Sequence, residues 1–155
     1  MPDTPMPDPQ QEARRRWMAV LARGDSAAIE AGLADCGALP AYTRLRGPEA
    51  GLVMVRGRTG GGGAPFNLGE MTVTRCTVRL ADGLVGHAYV AGRDERQAEL
   101  AAVADALLQD PSPGPLVQAA VIQPLAAAQD ARRAAAAGKA EATKVQFFAM
   151  RTMRT

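Results

Sequence analysis

The pattern of apolar and polar residues divides the chain into helical ends and a strand-rich middle. Apolar residues at helical spacing predict a first helix over about residues 10–22 and a second between Asp25 and Gly37. The two are predicted to form an N-terminal helical hairpin, suited to a lid or a docking element. Residues 1–9 hold four prolines and predict a disordered leader ahead of a single domain over residues 10–151.

The middle of the chain has the two-residue alternation of antiparallel strands. A short strand is predicted over residues 42–46, where Gly47 and Pro48 interrupt it. Longer strands are predicted over residues 51–58 and 71–80, and a further apolar run follows the next turn. The expected sheet therefore has about four strands.

The strongest local signal is the pair Asp82-Gly83, which stands between two apolar runs. Such a pair predicts a two-residue hairpin turn. This turn would place Val78 opposite His87 on an apolar face and leave Arg75 and Arg79 on the other. We therefore interpret His87, the only histidine of the chain, as a packed core residue and not as a general base.

Helical spacing returns after the strands. Asp94 can cap a helix, with Gln97 three residues later completing a capping box. A last helical region is predicted over residues 116–137, kinked or restarted at Pro124, and residues 145–150 resemble a strand that returns to the sheet. The predicted fold class is α+β, with helices packed on an antiparallel sheet.

The basic residues are unusual in kind. Lys139 and Lys144 are the only lysines among eighteen basic residues, so the other sixteen are arginines, whose forked groups suit carboxylate or phosphate. A coding bias toward arginine explains the same usage. Five arginines on or beside the predicted strands form the candidate contact site for an anion or a partner: Arg56, Arg58, Arg75, Arg79 and Arg93. A solvated sheet face is the plainer interpretation of the same set.

Composition limits the remaining possibilities. A net charge of +2 and 4% aromatic residues argue against a nucleic-acid binder. No apolar run is long enough for a membrane span, and Cys36 and Cys76 form neither a metal motif nor a disulfide framework. The run Gly60–Gly63 lacks the rest of a phosphate-binding motif and is interpreted as a flexible loop. We expect a cytoplasmic protein without a cofactor or a metal.

Several segments resemble the PhnG family in the right order. They are RRRWMAVLARG from Arg14, RGPEAGLVMVRGRTGGGG from Arg46, GEMTVTRCTVRLADGLVGHAYVAGRDERQAEL from Gly69 and EATKVQFFAMR from Glu141. The resemblance covers roughly residues 14–151. None of these segments is a catalytic signature, and their specificity lies in their number and order.

The resemblance implies a place in phosphonate catabolism. PhnG-like proteins belong to a carbon–phosphorus lyase core complex with PhnH, PhnI and PhnJ, and act together with the ATP-binding-cassette subunit PhnL. The complex transfers an alkylphosphonate onto ATP, releases adenine and gives α-D-ribose 1-methylphosphonate 5-triphosphate. The nucleosidase chemistry belongs to PhnI, so the resemblance assigns this chain no catalytic residue.

Two classes of function therefore remain. The chain is expected to be a non-catalytic, accessory subunit of a transferase complex. The alternative is an independent binding module for a phosphorylated metabolite. A lone chain with a large exposed apolar patch would favour the subunit.

Overall fold

Three antiparallel strands and a set of helices make up the computed structural model, which describes residues 8–59 and 62–145. The strands are β1 (Tyr42–Gly57), β2 (Phe66–Leu80) and β3 (Val85–Ala91), paired in the order β1-β2-β3. The helices are α1 (Pro9–Leu21), α2 (Ser26–Asp35), α3 (Glu95–Leu108), α4 (Gly114–Val117) and α5 (Gln123–Ala142), with a π-helical turn (Gln118–Ile122) between the last two. This is the α+β class that the sequence predicts.

The described sheet has three strands, so the prediction of about four was wrong. The two strands expected on either side of Gly47 and Pro48 are one strand, β1. Its pairing with β2 shifts register between Arg44 and Arg46 and again between Arg46 and Glu49. These bulges take up the proline without ending the strand, because a bulge absorbs residues that cannot continue the ladder.

The hairpin between β2 and β3 has a three-residue loop, not the predicted two-residue turn. The amide of Leu80 donates to the carbonyl of Leu84 at 2.9 Å, which leaves residues 81–83 in the loop. Gly83 has a φ of 96°, as in a type I turn that ends in a left-handed residue. Thr77 therefore pairs with His87 and Val78 with Gly86.

That shift of one residue reverses the faces of β3. His87 is exposed, whereas Ala88 and Val90 lie in the core. The interpretation of His87 as a packed core residue was therefore wrong. Arg75 and Arg79 do lie on the face away from the core, as predicted.

The core lies between the sheet and α3, which is buried over most of its length. Small residues let the two layers approach closely. A Cβ on Gly86 would lie 1.9 Å from the carbonyl oxygen of Ala102 and 2.7 Å from the amide nitrogen of Ala106. The close approach of α3 explains why Gly86, and not His87, faces inward.

Capping side chains mark the starts of α1 and α3. Asp8 caps α1, so the helix begins at Pro9, inside the predicted leader, and residues 1–7 lie outside the described part. The side chain of Asp94 accepts from the amide of Gln97 at 2.8 Å, which confirms that cap. Both N-terminal helices pack on α3, and the predicted hairpin between them is not confirmed.

The C-terminal helical region differs from its prediction in length. A π-helical turn precedes Pro124, which lacks an amide donor and occupies the first turn of α5. The helix continues to Ala142, beyond the predicted end at residue 137, because Gly138 does not stop it. The predicted strand at 145–150 lies outside the described residues except for Val145, which is not in a strand.

Two buried carboxylates on α3 fix the elements around it. Asp105, with a side chain 0% exposed, accepts two hydrogen bonds from Arg14 at 3.1 and 2.7 Å and one from Trp17 Nε1 at 2.8 Å. It also accepts from the backbone amide of His87 at 2.8 Å. One side chain thereby joins α1, α3 and β3.

Glu99 holds the start of β1 in the same way. It accepts from Tyr42 Oη at 2.7 Å and from both Nε and Nη2 of Arg44 at 2.8 and 2.9 Å. Burial alone would raise the pKa of the Glu99 carboxyl, but the hydrogen bonds from Arg44 and Tyr42 outweigh it and the pKa lies below its ordinary value.

Candidate functional site: a cationic face on the sheet

The side of the sheet away from α3 carries a regular array of polar and charged side chains, here called the cationic face. Residues paired across antiparallel strands project from the same side, so the pairing fixes the array. Its three rows run from β1 through β2 to β3: Thr43, Arg79 and Val85; Arg46, Thr77 and His87; Glu49, Arg75 and Tyr89.

One carboxylate neutralises part of this face. Glu49 Oε1 accepts from Arg46 Nε and from Arg75 Nε, each at 2.7 Å. The hydrogen bonds from Arg46 and then Arg75 hold the pKa of the Glu49 carboxyl below its ordinary value. All three side chains remain about half exposed, so the cluster is accessible to another molecule.

The rest of the face is less neutralised. Arg79 is exposed, and within residues 8–59 and 62–145 it makes no ion pair. Beside it opens a cleft of about 460 Å³, lined also by Tyr42, Thr43 and the hairpin loop 81–83. Asp82 in that loop adds a negative charge to the edge of the cleft.

His87 lies at the centre of the third strand of the face. Its Nδ1 is 3.2 Å from the hydroxyl oxygen of Thr77, and its backbone amide is held by Asp105 from below. Among the described side chains, no carboxylate hydrogen-bonds the ring. A histidine that acts as a general base is normally oriented by such a group.

The five predicted arginines are not brought together. Arg75 and Arg79 share the cationic face, but Arg56 pairs with Asn67, eight residues along β2 from Arg75. At about 3.4 Å per residue, that separation is roughly 27 Å. Arg58 lies just past the end of β1, and Arg93 lies in the turn between β3 and α3; both are exposed.

Arg46 and His87 belong to the face but were not predicted to do so. Arg46 was missed because the bulges in β1 change which residues share a side, and periodicity does not reveal bulges. Its spacing of three residues from Glu49 gave no signal, since a regular strand would put the two on opposite sides.

Chemically, three guanidinium groups, three hydroxyls and an imidazole on an open surface suit multidentate contact with an anion. Within the described residues, no group of three His, Cys, Asp or Glu side chains is placed to hold a metal ion. None of the helices described combines the length and the apolar character that a bilayer span requires. Fold and face together define the class: a small α+β protein with an exposed, arginine-rich sheet surface.

Comparison with known proteins gives the family. The family model described as "Phosphonate metabolism protein PhnG" matches residues 12–152. The chain is also 45% identical over 137 residues to "Alpha-D-ribose 1-methylphosphonate 5-triphosphate synthase subunit PhnG" of Rhizobium meliloti (strain 1021), covering 88% of this chain and 87% of that protein. The chain belongs to the PhnG family of phosphonate metabolism proteins.

Proposed function

We propose that this chain is an accessory subunit of an α-D-ribose 1-methylphosphonate 5-triphosphate synthase and acts in phosphonate catabolism. The observation that carries the proposal is its 45% identity, across 88% of its length, to a protein named as that subunit. The proposed partners are PhnI, PhnH and PhnJ, with PhnL acting functionally, and the substrates of the complex are ATP and an alkylphosphonate. The proposed location is the cytoplasm, where the free thiols of Cys36 and Cys76 would stay reduced.

In this proposal the chain supports the transferase reaction without carrying its chemistry. The support is the openness of the cationic face, which offers charge but no enclosed arrangement of nucleophile, base and orienting group. His87 has only the Thr77 hydroxyl as a described side-chain partner. The contribution of the chain is then to position another subunit or a substrate.

The cationic face contacts an acidic surface of another subunit, for which we favour the nucleosidase subunit PhnI. Its guanidinium groups outnumber its carboxylates by three to one, and they remain accessible. A buried unpaired charge costs several kcal/mol, so carboxylates must accompany these arginines if the face is covered.

The double variant Arg75→Ala/Arg79→Ala tests this role. We expect weaker assembly with PhnI, by about tenfold at low salt, and an effect that shrinks as salt rises. The measure is the dissociation constant by interferometry at two salt concentrations. Arg132→Ala/Arg133→Ala, on the exposed side of α5, is the matched control and should assemble normally.

The kinetics of the reconstituted complex separate the remaining outcomes. Normal assembly with a raised KM for ATP would mean that the face holds the triphosphate. Unchanged assembly and unchanged kinetics would mean that the face is simply solvated, and the contact role would be abandoned.

The alternative of an independent module for a phosphorylated metabolite has one observation in its favour. Arg79, free of ion pairs among the described residues, stands beside the cleft of about 460 Å³. Calorimetry of the lone chain with ATP tests it. Binding that Arg79→Ala abolishes would support the module, whereas no binding would leave the subunit role.

A further inference from the structure

The paired strands β1 and β2 extend well beyond the body of the protein. β3 pairs with β2 only over Val73–Arg79. Residues 52–57 of β1 and 66–72 of β2 therefore have only each other as described sheet neighbours, and we call this ribbon the arm. An isolated two-stranded ribbon is marginally stable in water, so the arm lacks the support that a third strand or a helix would give.

Large apolar side chains stand exposed on the arm. Leu52 is 63% exposed, Met54 59% and Leu68 57%, and Phe66 and Met71 are exposed as well. Scattered apolar residues are ordinary on a protein surface, but five on one short ribbon are typical of a surface that another molecule covers.

The apolar residues occupy both sides of the arm. Leu52 and Met54 are two residues apart and share one side. Met71 pairs with Val53, which alternates with them and so projects from the other side. A flat partner surface would cover only one of these sides, whereas a cleft that receives the ribbon would cover both.

The charges on the arm indicate what the cleft contains. Arg56 and Arg58, at the end away from the body, are both exposed. Glu70 is the only acidic residue between positions 50 and 72. A complementary cleft therefore has apolar walls and carboxylates at the end that meets the two arginines.

We infer that the arm is a docking element that inserts into such a cleft on a different subunit of the same synthase. This inference rests on the proposed function, in which the chain works inside a multi-subunit complex. A second copy of this chain matches poorly, because its arm brings the same two arginines and only Glu70 in return. Arg56 and Arg58 thus contact a partner, at a surface separate from the cationic face.

The experiment uses the full chain, tagged and co-produced with the other subunits of the synthase. Leu52→Ser/Met54→Ser should reduce the recovered complex at least tenfold, because buried apolar anchors dominate interface energies. Leu39→Ser/Leu116→Ser is the matched control: both leucines are exposed but lie outside the arm, and the complex should form normally. Circular dichroism of each variant checks that the fold persists.

A charge variant gives a second readout. Arg56→Gln/Arg58→Gln should lower affinity about tenfold at low salt and much less at high salt, since salt screens exposed charges. The serine variant should show no comparable salt dependence. Cross-links from the arm to another subunit would support the inference.

Three other results would contradict the inference, the proposed function or both. If the unaltered chain assembles and both arm variants assemble equally well, the docking role of the arm is wrong and the proposed function stands. If the unaltered chain joins no other subunit, both fail together. If the lone chain forms a dimer that the serine variant dissolves, the occupant is a second copy and the inferred partner is wrong.

Discussion

Replacement of Asp105 by asparagine tests whether one buried carboxylate holds α1 and β3 against α3. Asp105 Oδ1 accepts from Arg14 Nε and Trp17 Nε1, while Oδ2 accepts from Arg14 Nη2 and the amide of His87. Asparagine keeps the shape but turns one oxygen into a donor. Whichever oxygen becomes the amide nitrogen, the two N–H donors that hydrogen-bonded to that oxygen then face a third N–H donor. The guanidinium of Arg14 also loses its counter-charge.

The magnitude follows from these contacts. Loss of a charge-assisted hydrogen bond costs about 1.5–3 kcal/mol, and a buried donor left without an acceptor costs about 1–3 kcal/mol. Arg14 is 31% exposed, so water offsets part of its loss. We expect the free energy of unfolding to fall by about 4 kcal/mol, which corresponds to a drop in Tm of about 8–16 °C for a domain of this size.

The assay is urea denaturation of the full-length chain, followed by circular dichroism, with thermal unfolding as a second measure. Asp130→Asn is the matched control, because Asp130 is 67% exposed and pairs with the exposed Arg133. That exposed pair should contribute less than about 1 kcal/mol. If Asp105→Asn loses no more stability than the control, then the network is not what fixes α1 and β3, and apolar packing alone holds them.

Two further predictions concern α3 and its neighbours. Glu99→Gln should cost about 2 kcal/mol at neutral pH through its hydrogen bonds with Arg44. Because the pKa of Glu99 is depressed in the folded state, its contribution is present above the unfolded pKa of about 4.3 and is lost as pH falls through the lower folded value. The difference in stability between the two proteins should therefore shrink as pH falls below about 4.3 in urea titrations, and a constant gap would contradict this. Gly86→Ala should destabilise the fold by more than about 3 kcal/mol, since its Cβ would lie 1.9 Å from the carbonyl oxygen of Ala102, whereas Gly69→Ala meets no atom within 4 Å and should be tolerated in the same unfolding assay.

The fold class and most elements were predictable because helical and strand periodicities can be recognised within each continuous segment of the sequence. The orientation of β3 was not. In the segment LVGHAYVA, the side that faces inward depends on whether one or two residues of the preceding turn adopt a positive φ. Within the loop 81–83, only Gly83 does. The small residues Gly86 and Ala88 face inward because α3 approaches them closely, a tertiary fact that no local pattern contains.

The candidate site was predictable only in part. Arg75 and Arg79 follow from strand alternation within β2, which has no irregularity between them. Arg56 was predicted beside them because two short strands were expected in place of β1. The single long strand instead carries Arg56 far from Arg75. The sequence shows which residues alternate, but the distance between two of them depends on the pairing of the whole hairpin.

The arm also has a consequence for how the cell handles this protein before assembly. A newly made copy displays Leu52, Met54 and Leu68 to solvent, and the outer edges of its two arm strands are unpaired in the described structure. Exposed apolar ribbons of this kind attract chaperones and proteases and invite edge-to-edge aggregation. A surplus copy should therefore have a shorter lifetime than an assembled one, so that degradation of the excess would match the amount of this protein to the supply of its partner.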